Sequence, residues 1–407
     1  MKFFRQTIAL LIAALALAGC AGTNVAPSGY INAADFRTCL LTLGKGGVGS
    51  INASAITALK DGQKRLGVAA RRSTLDSPAK IEKAIARDIS ANCSLIIGVG
   101  EAFVEPLMEQ AKYHRSRHFA LLLPPGTSAQ ATRENLAIVT YDLSQPAYVA
   151  GFIAAGTSAS GQVAAIAGKK NQTNQTLLAA FAKGVERYNA EQGAKKSSAV
   201  KVNAKADGNG LYLGEKAPVS KVKGQVETLI KQGADVIFFA EGAQSPEGLA
   251  AISKVNQDRY QAAKAAAEAS KSAEPEADNG SESTPESSEE TTSSPATTDS
   301  LAENDAVGSI TAIWYLTDGH QTQGSPAGKN PPILTSIVPD ISQAMISLIE
   351  EARKDRFAAN STQILGTYQN GWVGLTPFYE YDSTVPNEVK KKSQIIEEEF
   401  RQGTLKL

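Results

Sequence analysis

Three absences limit what this chain can be. No apolar run reaches the about 20 residues that a membrane-spanning helix needs, which argues against a permanent transmembrane anchor. The formal net charge is zero, and the basic residues are spread along the chain, which argues against a nucleic-acid partner. No set of serine, histidine and aspartate has a spacing that predicts a nucleophile, so we expect no catalytic residue.

Cysteine is scarce as well, with Cys20, Cys39 and Cys93 the only three. Cys39 and Cys93 both fall in or beside predicted strands, and our first expectation is that they are buried free thiols. A disulfide between them is the alternative, because an oxidising compartment would permit it.

The amino-terminal segment has the order of a secretory signal. Lys2 and Arg5 precede an apolar run at residues 8–17, and small residues follow up to Cys20. The ending Leu-Ala-Gly-Cys resembles the lipobox of bacterial lipoproteins, which implies cleavage after residue 19 and a diacylated Cys20. We expect residues 1–19 to be a signal peptide and residues 20–35 a lipid-anchored tether. This predicts the extracytoplasmic face of the cell membrane; because Ala21 gives no retention signal, the outer membrane stays open in a two-membrane envelope.

From Phe36 onward, short apolar runs alternate with amphipathic segments, which predicts parallel strands joined by crossover helices. The fold class is therefore α/β, with two doubly wound, Rossmann-like lobes. Helices are expected near Gln145, Asn174, Val219 and Pro246 in the second lobe. The predicted strands are residues 36–42, 67–71, 94–99, 119–123 and 136–141 in the first lobe, and 162–167, 200–204, 235–240 and 310–316 in the second.

One segment differs in composition from both lobes. Between Lys271 and Asp305 there are ten acidic residues and one lysine, mixed with serine, threonine and proline. Such a segment cannot bury enough apolar surface to offset the entropy of ordering it. We expect residues 271–307 to be a disordered acidic insertion within the second lobe, a lengthened surface connection.

A glycine-rich segment, Lys45 to Ser50, resembles the phosphate loop of ParA and MinD type ATPases. That loop needs a lysine after its last glycine, and here Ser50 and Ile51 follow instead, so we expect neither nucleotide hydrolysis nor any other enzymatic activity. The segment still predicts a turn at which a ligand can approach backbone N–H groups, with Ser50 and Asn52 offering side-chain hydrogen bonds.

Four further polar residues could bind a metal ion or a ligand, or could have a purely structural role. His114 and His118 stand four apart, but no third and fourth metal ligand is evident, so we expect solvated loop histidines and no metal or cofactor. Glu105 follows a predicted strand and is either a ligand acceptor or a favourable acid near a helix start. Asp318, followed by Gly319, is either a ligand contact at a strand end or a turn former.

Six segments resemble, in the same order, the basic membrane protein family, whose studied members bind purine nucleosides. The resemblance runs over residues 36–378, interrupted by the acidic insertion. With the lipobox and two lobes, it implies a substrate-binding lipoprotein of an ABC importer with the type I periplasmic-binding fold. The six are LIIGVG at residues 95–100, QPAYVAGFIAA at 145–155, GQVAAIAG at 161–168, GADVIF at 233–238, ILTSIV at 333–338 and VGLTPF at 373–378.

The resemblance also implies a ligand-binding set in the cleft between the lobes. Ser50 and Asn52 match a serine and an asparagine of the family, and Asp318 matches an aspartate. Glu105 stands where the family has an aspartate, and Gln175 where it has an asparagine. The two lobes would close over a small polar ligand held by these five residues.

Other positions depart from the family pattern. Ile51 and Leu177 occupy places where the family has aromatic residues, and Pro339 replaces a lysine. Without those rings, base stacking worth about 1 to 3 kcal/mol by analogy with nucleic-acid platforms is missing. The ligand is therefore expected to be nucleoside-like by resemblance, with purine the weaker assignment.

The resemblance further implies three crossings between lobes, near Asp142, Ile337 and Asn360. We accordingly expect the first lobe to comprise residues 36–145 and 337–358, and the second residues 146–336 and 359–407. The expected partners are a small-molecule ligand, an ABC permease and the membrane through the lipid on Cys20, and the protein is expected to be a monomer. The alternative is a surface lipoprotein that keeps this fold, has lost transport and serves a regulatory or structural partner.

Overall fold

The computed structural model describes residues 30–44, 46, 50–131, 133–192, 201–203, 208–272, 309–324, 330–357 and 363–407. The expected signal peptide, Cys20, most of the tether and residues 273–307 of the acidic insertion lie outside these residues. The described chain forms two α/β lobes, each built on one sheet, and this confirms the predicted fold class.

The first sheet has six strands, all parallel, in the order β12-β5-β4-β3-β1-β2. Its central strands are buried along their whole length, as expected where helices cover both faces of a parallel sheet. The strands are β1 (Arg37–Leu43), β2 (Ala69–Leu75), β3 (Leu95–Val99), β4 (His118–Leu122), β5 (Leu136–Tyr141) and β12 (Gln363–Gly366).

The second sheet follows the order β13-β11-β10-β9-β6-β7, with β8 also paired to β6. All pairings are parallel except that of β11 with β13. The strands are β6 (Gln162–Ala167), β7 (Lys201–Asn203), β8 (Leu211–Tyr212), β9 (Val236–Phe239), β10 (Thr311–Tyr315), β11 (Ile333–Pro339) and β13 (Val373–Leu375).

Ten α-helices connect these strands in the described chain, and all four second-lobe helices predicted from the sequence are present. They are α1 (Ile51–Leu66), α2 (Ile81–Ser90), α3 (Val104–Tyr113), α4 (Ser144–Thr157), α5 (Gln172–Gln192), α6 (Val219–Lys231), α7 (Pro246–Ser272), α8 (Gly319–Thr322), α9 (Ile341–Arg353) and α10 (Asn387–Arg401).

The last crossing between lobes lies later in the chain than expected. Residues Gln363–Gly366 pair with β5 in the first sheet, and the chain enters the second sheet only at Val373–Leu375. Conversely, β11 belongs to the second sheet up to Pro339. The expected boundaries at 337 and 359 therefore each fall a few residues before the observed crossing. For the boundary at 359 the reason is that the short edge strand β12 carries little apolar signal.

The expectation of free thiols is wrong, because Cys39 and Cys93 form a disulfide with Cα atoms 5.9 Å apart. Cys39 lies in the middle of β1, and Cys93 just precedes the neighbouring strand β3. Both cysteines are fully buried. The buried carboxylate of Asp88 lies beside them, within 4.8 Å of both sulfur atoms. With the sulfurs bonded to each other, the three groups do not provide thiolates for a metal ion.

In the second lobe, α4 and α5 pack at unusually close range. A Cβ on Gly151 would overlap the carbonyl oxygen of Phe181, and one on Gly184 would overlap the carbonyl oxygen of Tyr148. The two glycines thus let the backbones of the helices touch. Each side chain around them, including Phe152 and Phe181, is buried.

The start of the described chain is docked on the first lobe. The guanidinium of Arg353, at the end of α9, lies 4.5 Å from the centre of the Tyr30 ring. The backbone N–H of Ile31 donates to the carbonyl of Arg353, and the Arg353 side chain donates back to the carbonyl of Ile31. The expected tether therefore meets the fold at the end of α9.

His118 is not the solvated loop histidine that the sequence suggested. It is the first residue of β4 and is 7% exposed, and its Nε2 lies 3.0 Å from Asp355. Burial lowers the pKa of His118, and Asp355 partly offsets that effect. The four residues from His114 to His118 span the end of α3 and the start of a strand, so the two histidines do not lie on one face of a helix.

Candidate functional site

The three crossings between lobes are tied to one another by hydrogen bonds. The N–H of Asp142 donates to the carbonyl of Gly366 at 2.8 Å, and the N–H of Tyr368 donates to the Gln145 side chain at 2.9 Å. The N–H of Asp340, at the second crossing, donates to the carbonyl of Trp372, in the last crossing, at 2.7 Å. These segments form the hinge between lobes. Strands in each sheet run toward it, so their carboxyl ends border the space between the lobes.

On the first lobe, two of the five candidate residues lie together at the end of β1. Ser50 caps α1, its hydroxyl accepting from the N–H of Ala53 at 3.2 Å. The Asn52 side chain donates to the carbonyl of Leu43 at 2.7 Å. Both side chains lie beside Gly46, and most of the glycine-rich segment falls outside the described residues. Ser50 therefore caps α1 and Asn52 ties its first turn to the end of β1, and each has hydrogen-bonding capacity left.

Glu105 lies in the first turn of α3, at the carboxyl end of β3, and is exposed. The neighbouring acid Glu101 is also exposed and accepts from the hydroxyl of Thr127 at 3.0 Å. Glu105 has no hydrogen bond or ion pair with another described residue. Its carboxylate is thus available to a ligand, which is consistent with either of the readings given by the sequence.

On the second lobe, the first turn of α5 presents Gln175, which is half-buried, beside Asn174, which is 1% exposed. The Asn174 amide donates to the carbonyls of Lys169 and Glu241 at 2.8 and 3.1 Å. Asn174 therefore joins the loops after β6 and β9 and holds Gln175 in place. Sequence reasoning missed Asn174, although it stands directly before a candidate residue.

Both carboxylate oxygens of Asp318 accept hydrogen bonds from residues of its own lobe. It caps the short helix α8, accepting from the N–H groups of His320 and Gln321 at 3.1 and 3.4 Å. Its second oxygen accepts from the Tyr379 hydroxyl. Burial, together with this hydrogen bond, raises the pKa of Tyr379. The turn-forming reading of Asp318 is the one that these contacts show.

Around Asp318 the structure assembles a cluster that the sequence did not reveal. The rings of His320 and Tyr379 stack with centres 4.1 Å apart, and His320 Nε2 lies 2.7 Å from a Glu380 oxygen. The other Glu380 oxygen is buried and has no partner among the described residues. Tyr379 directly follows the segment VGLTPF, and this adjacency was the one signal available.

One contact joins the lobes directly across the space between them. Gly126, in the loop after β4, has φ +81° and lies against Thr173 at the start of α5. A Cβ at Gly126 would overlap the Thr173 hydroxyl. The lobes are therefore closed against each other at this point, next to Asn174 and Gln175.

The five candidate residues divide by lobe into two groups, with Ser50, Asn52 and Glu105 on the first lobe and Gln175 and Asp318 on the second. Ser50 and Asn52 lie together, whereas no hydrogen bond or ion pair joins any two of the five in the part of the chain that the structure describes. Within the same part, no helix is both long and apolar enough to cross a membrane.

Solved structures with this architecture are numerous but distant in sequence. A solute-binding protein of an ABC transporter system from Conexibacter woesei has a TM-score of 0.62 and 16% identity, covering 91% of this chain and 98% of that one. A transcriptional activator of the comK gene from Bacillus halodurans has a TM-score of 0.60 and 16% identity, with coverages of 91% and 99%. An ABC solute-binding protein from Aeropyrum pernix has a TM-score of 0.57 and 16% identity, with coverages of 91% and 92%.

These likenesses show the fold, which is the type I periplasmic-binding fold with two lobes and a hinge, as predicted. No curated protein sequence matches the chain significantly. A family profile does match: residues 47–276, more than half of the chain, fit the family described as "Bmp: ABC transporter substrate-binding protein PnrA-like". The chain therefore belongs to the Bmp family of ABC transporter substrate-binding proteins, the family that its sequence resembles.

Proposed function

We propose that this protein is a lipid-anchored receptor that closes over a small polar ligand and delivers it to an ABC permease. The observation that carries the proposal is the family match over residues 47–276 on a chain with two hinged lobes. The contact between Gly126 and Thr173 supports closure at the cleft. Hinge closure around a ligand is the motion expected of this architecture.

The ligand would meet both groups of candidate residues. Ser50, Asn52 and Glu105 would bind it from the first lobe, and Gln175 from the second. Asp318 would act through Tyr379 and Gln321, because its own oxygens are already used within its lobe. By family resemblance the ligand is nucleoside-like, and the loss of rings at Ile51 and Leu177 favours recognition through hydrogen bonds rather than stacking.

Lipid on Cys20 would hold the protein at the extracytoplasmic face of the membrane, where a permease takes up ligand. The docking of Tyr30 on Arg353 supports this, because it brings the expected tether to one fixed point of the first lobe. The protein would act as a monomer and without catalysis, so ligand recovered after incubation would be chemically unchanged.

A thermal-shift screen against nucleosides, bases and sugars tests the proposal. A ligand that binds only the native state adds about 2.7 kcal/mol at a concentration one hundred times its Kd, which raises the midpoint. Glu105→Ala and Gln175→Ala should remove the shift, because both side chains are accessible and neither caps a helix. Glu82→Ala, an exposed acid on α2, is the matched control and should leave it intact.

Two outcomes would contradict the proposal. If no member of the panel raises the midpoint, the protein is not a receptor for this ligand class. If a ligand binds but Glu105→Ala and Gln175→Ala leave its shift unchanged, the ligand does not occupy the cleft defined by these residues.

One observation favours a second candidate, a lipoprotein that has lost transport and serves a regulatory or structural partner. Three of the five candidate residues, Ser50, Asn52 and Asp318, form hydrogen bonds within their own lobe. Side chains that already form hydrogen bonds within their own lobe have less need of a ligand as a partner. Deleting the gene and measuring uptake of a ligand identified by the screen separates the two, because only the receptor is needed for uptake.

A further inference from the structure

A cavity of about 510 Å³ lies beside the hinge and is separate from the candidate residues above. It is bordered by the first crossing at Asp142–Gln145, by the last crossing at Thr367 and Gln369, by one face of α5, and by residues 403–407 after α10. We call it the hinge cavity. Its size is within the range of sites that hold small molecules.

Two lysines in the wall of the hinge cavity have no partner. Lys183 projects from α5, and Lys406 lies in the segment after α10. Neither forms a hydrogen bond or ion pair with another described residue. Lys183 shares a helical face with Thr176 and Ala180, which stand seven and three residues before it and also line the cavity. Two free ammonium groups in one concave wall favour an anion.

The rest of the polar wall suits hydroxyl groups. One oxygen of Asp142 accepts from the N–H and hydroxyl of Ser144, and the other has no partner among the described residues. Gln369 is exposed and lines the cavity with an uncommitted amide. Asp142 repels a second anionic group but accepts readily from a hydroxyl, so it selects against a polyanion.

Part of the remaining wall is apolar, beside the polar side chains of Gln145, Thr176 and Thr367. Phe400 is 2% exposed overall and contributes to the cavity together with Ala179, Ala180 and Leu405. The ring of Phe400 is held edge-on by Tyr148, at 5.7 Å between centres, and stacked on Tyr368, at 5.8 Å. This wall is rigid and can pack against the carbon skeleton of a ligand.

We propose that the hinge cavity is a second binding site, for a small hydroxylated organic molecule that carries one anionic group. The anion lies against Lys183 and Lys406, hydroxyls donate to the free oxygen of Asp142, and the carbon skeleton packs against Ala179 and Leu405. Because the site joins the hinge crossings to α5 and the segment after α10 in the second lobe, an occupant bridges segments whose relative position changes when the hinge bends. Its occupancy therefore biases the equilibrium between open and closed lobes.

Calorimetric titration of the protein with gluconate tests the site, and sorbitol is the matched probe that keeps the hydroxyls and lacks the carboxylate. Gluconate should bind and sorbitol should bind at least about tenfold more weakly, since the hydrogen bonds between the carboxylate and the two ammonium groups are lost. Glucose 6-phosphate shows whether a phosphate replaces the carboxylate. Lys183→Ala should weaken gluconate binding by about tenfold, and Lys183→Arg should retain it.

Two controls locate the binding. Lys83→Ala, an exposed lysine on α2 of the first lobe, should leave gluconate affinity unchanged, and so should Glu105→Ala in the cleft. The proposal is overturned if neither anionic probe binds, if sorbitol binds as tightly as gluconate, or if Lys183→Ala has no effect. Loss of gluconate binding in Glu105→Ala would place the probe in the cleft instead, which overturns the second site while leaving the receptor proposal standing.

Discussion

The two lobes share one plan, a parallel sheet between layers of helices, but they are stabilised differently. In the first lobe, a disulfide joins Cys39 in strand β1 to Cys93, two residues before the neighbouring strand β3. In the second lobe, where the structure shows no disulfide among the described residues, α4 and α5 touch backbone to backbone at Gly151 and Gly184. A cross-link restricts the unfolded chain, whereas close packing acts only on the folded state.

The positions of the two tryptophans allow the lobes to be followed separately. Trp314 lies in β10 and Trp372 in the last crossing, and both are less than 10% exposed. Tryptophan fluorescence therefore reports on the second lobe and its junction, while far-ultraviolet circular dichroism reports on both lobes. The first two predictions below use this difference to separate the lobes.

The largest effect is expected from removing the disulfide with Cys39→Ala and Cys93→Ala together. The two cysteines stand 54 residues apart, and opening a loop of that length costs about 4 kcal/mol of the free energy of unfolding in the chain-entropy account. In urea, circular dichroism should show an early transition that fluorescence does not follow. Coincident transitions at the wild-type midpoint would contradict this role of the disulfide.

Gly184→Ala should destabilise the second lobe by about 1 to 3 kcal/mol, because the added methyl overlaps the Tyr148 carbonyl and must push the helices apart. The fluorescence transition should move to lower urea. Gly224→Ala is the matched control: this glycine lies within α6 and a Cβ there meets nothing within 4 Å. That variant should be stabilised by about 0.5 to 1 kcal/mol, so an equal loss in both would refute the packing explanation.

Gly126→Ala should act between the lobes rather than within either one. The methyl would overlap the Thr173 hydroxyl, and φ +81° is unfavourable for alanine by about 1 to 2 kcal/mol. The closed arrangement should lose population, and the radius of gyration from small-angle X-ray scattering should increase. Gly100→Ala has the same backbone problem, with φ +96°, but no neighbour within 4 Å, so it should leave the radius of gyration unchanged.

The smallest effect concerns Asp88 beside the disulfide. Burial raises the pKa of this carboxyl above its ordinary value of 3.8, and Arg71 and Arg87 offset part of the rise. The folded state thus holds the proton more tightly than the unfolded chain, and stability from this group falls as pH rises from 3.8 through the folded pKa. Asp88→Asn should remove that fall.

The test of this prediction is a comparison of urea midpoints by circular dichroism from about pH 3 to about pH 7. As pH rises, the free energy of unfolding of the Asn variant should increase relative to that of the wild type by on the order of 1 kcal/mol. A constant difference between the two proteins across this range would show that Asp88 does not titrate in this window.

Strands of consecutive buried residues such as LIIGV of β3 and HFALL of β4 were predictable. β11 is an exception, because it was not among the predicted strands although six of its seven residues are buried. The sequence did not predict β8, β12 and β13, which have two to four residues each. Such short segments are decided by their neighbours in the sheet rather than by their own composition.

Predicting the disulfide would also have required knowing which strands are neighbours in the sheet. Cys39 pairs in register with Ile96 across β1 and β3, which brings Cys93 to the same end of the pair. The sequence shows two cysteines near strands, but not that those strands are adjacent or how they are aligned. Asp318 was ambiguous for a similar reason, because its partner Tyr379 lies 61 residues further along the chain.

The docking of Tyr30 on Arg353 has a mechanical consequence. This point lies near Asp355 and His118, at the amino ends of the first-sheet strands, opposite the pole that borders the cleft. Cys20 precedes Tyr30 by ten residues, so lipid there would keep this pole within about 35 Å of the bilayer. The first lobe would then stay fixed relative to the membrane while the second lobe moves. A membrane partner would detect ligand binding through that movement of the second lobe.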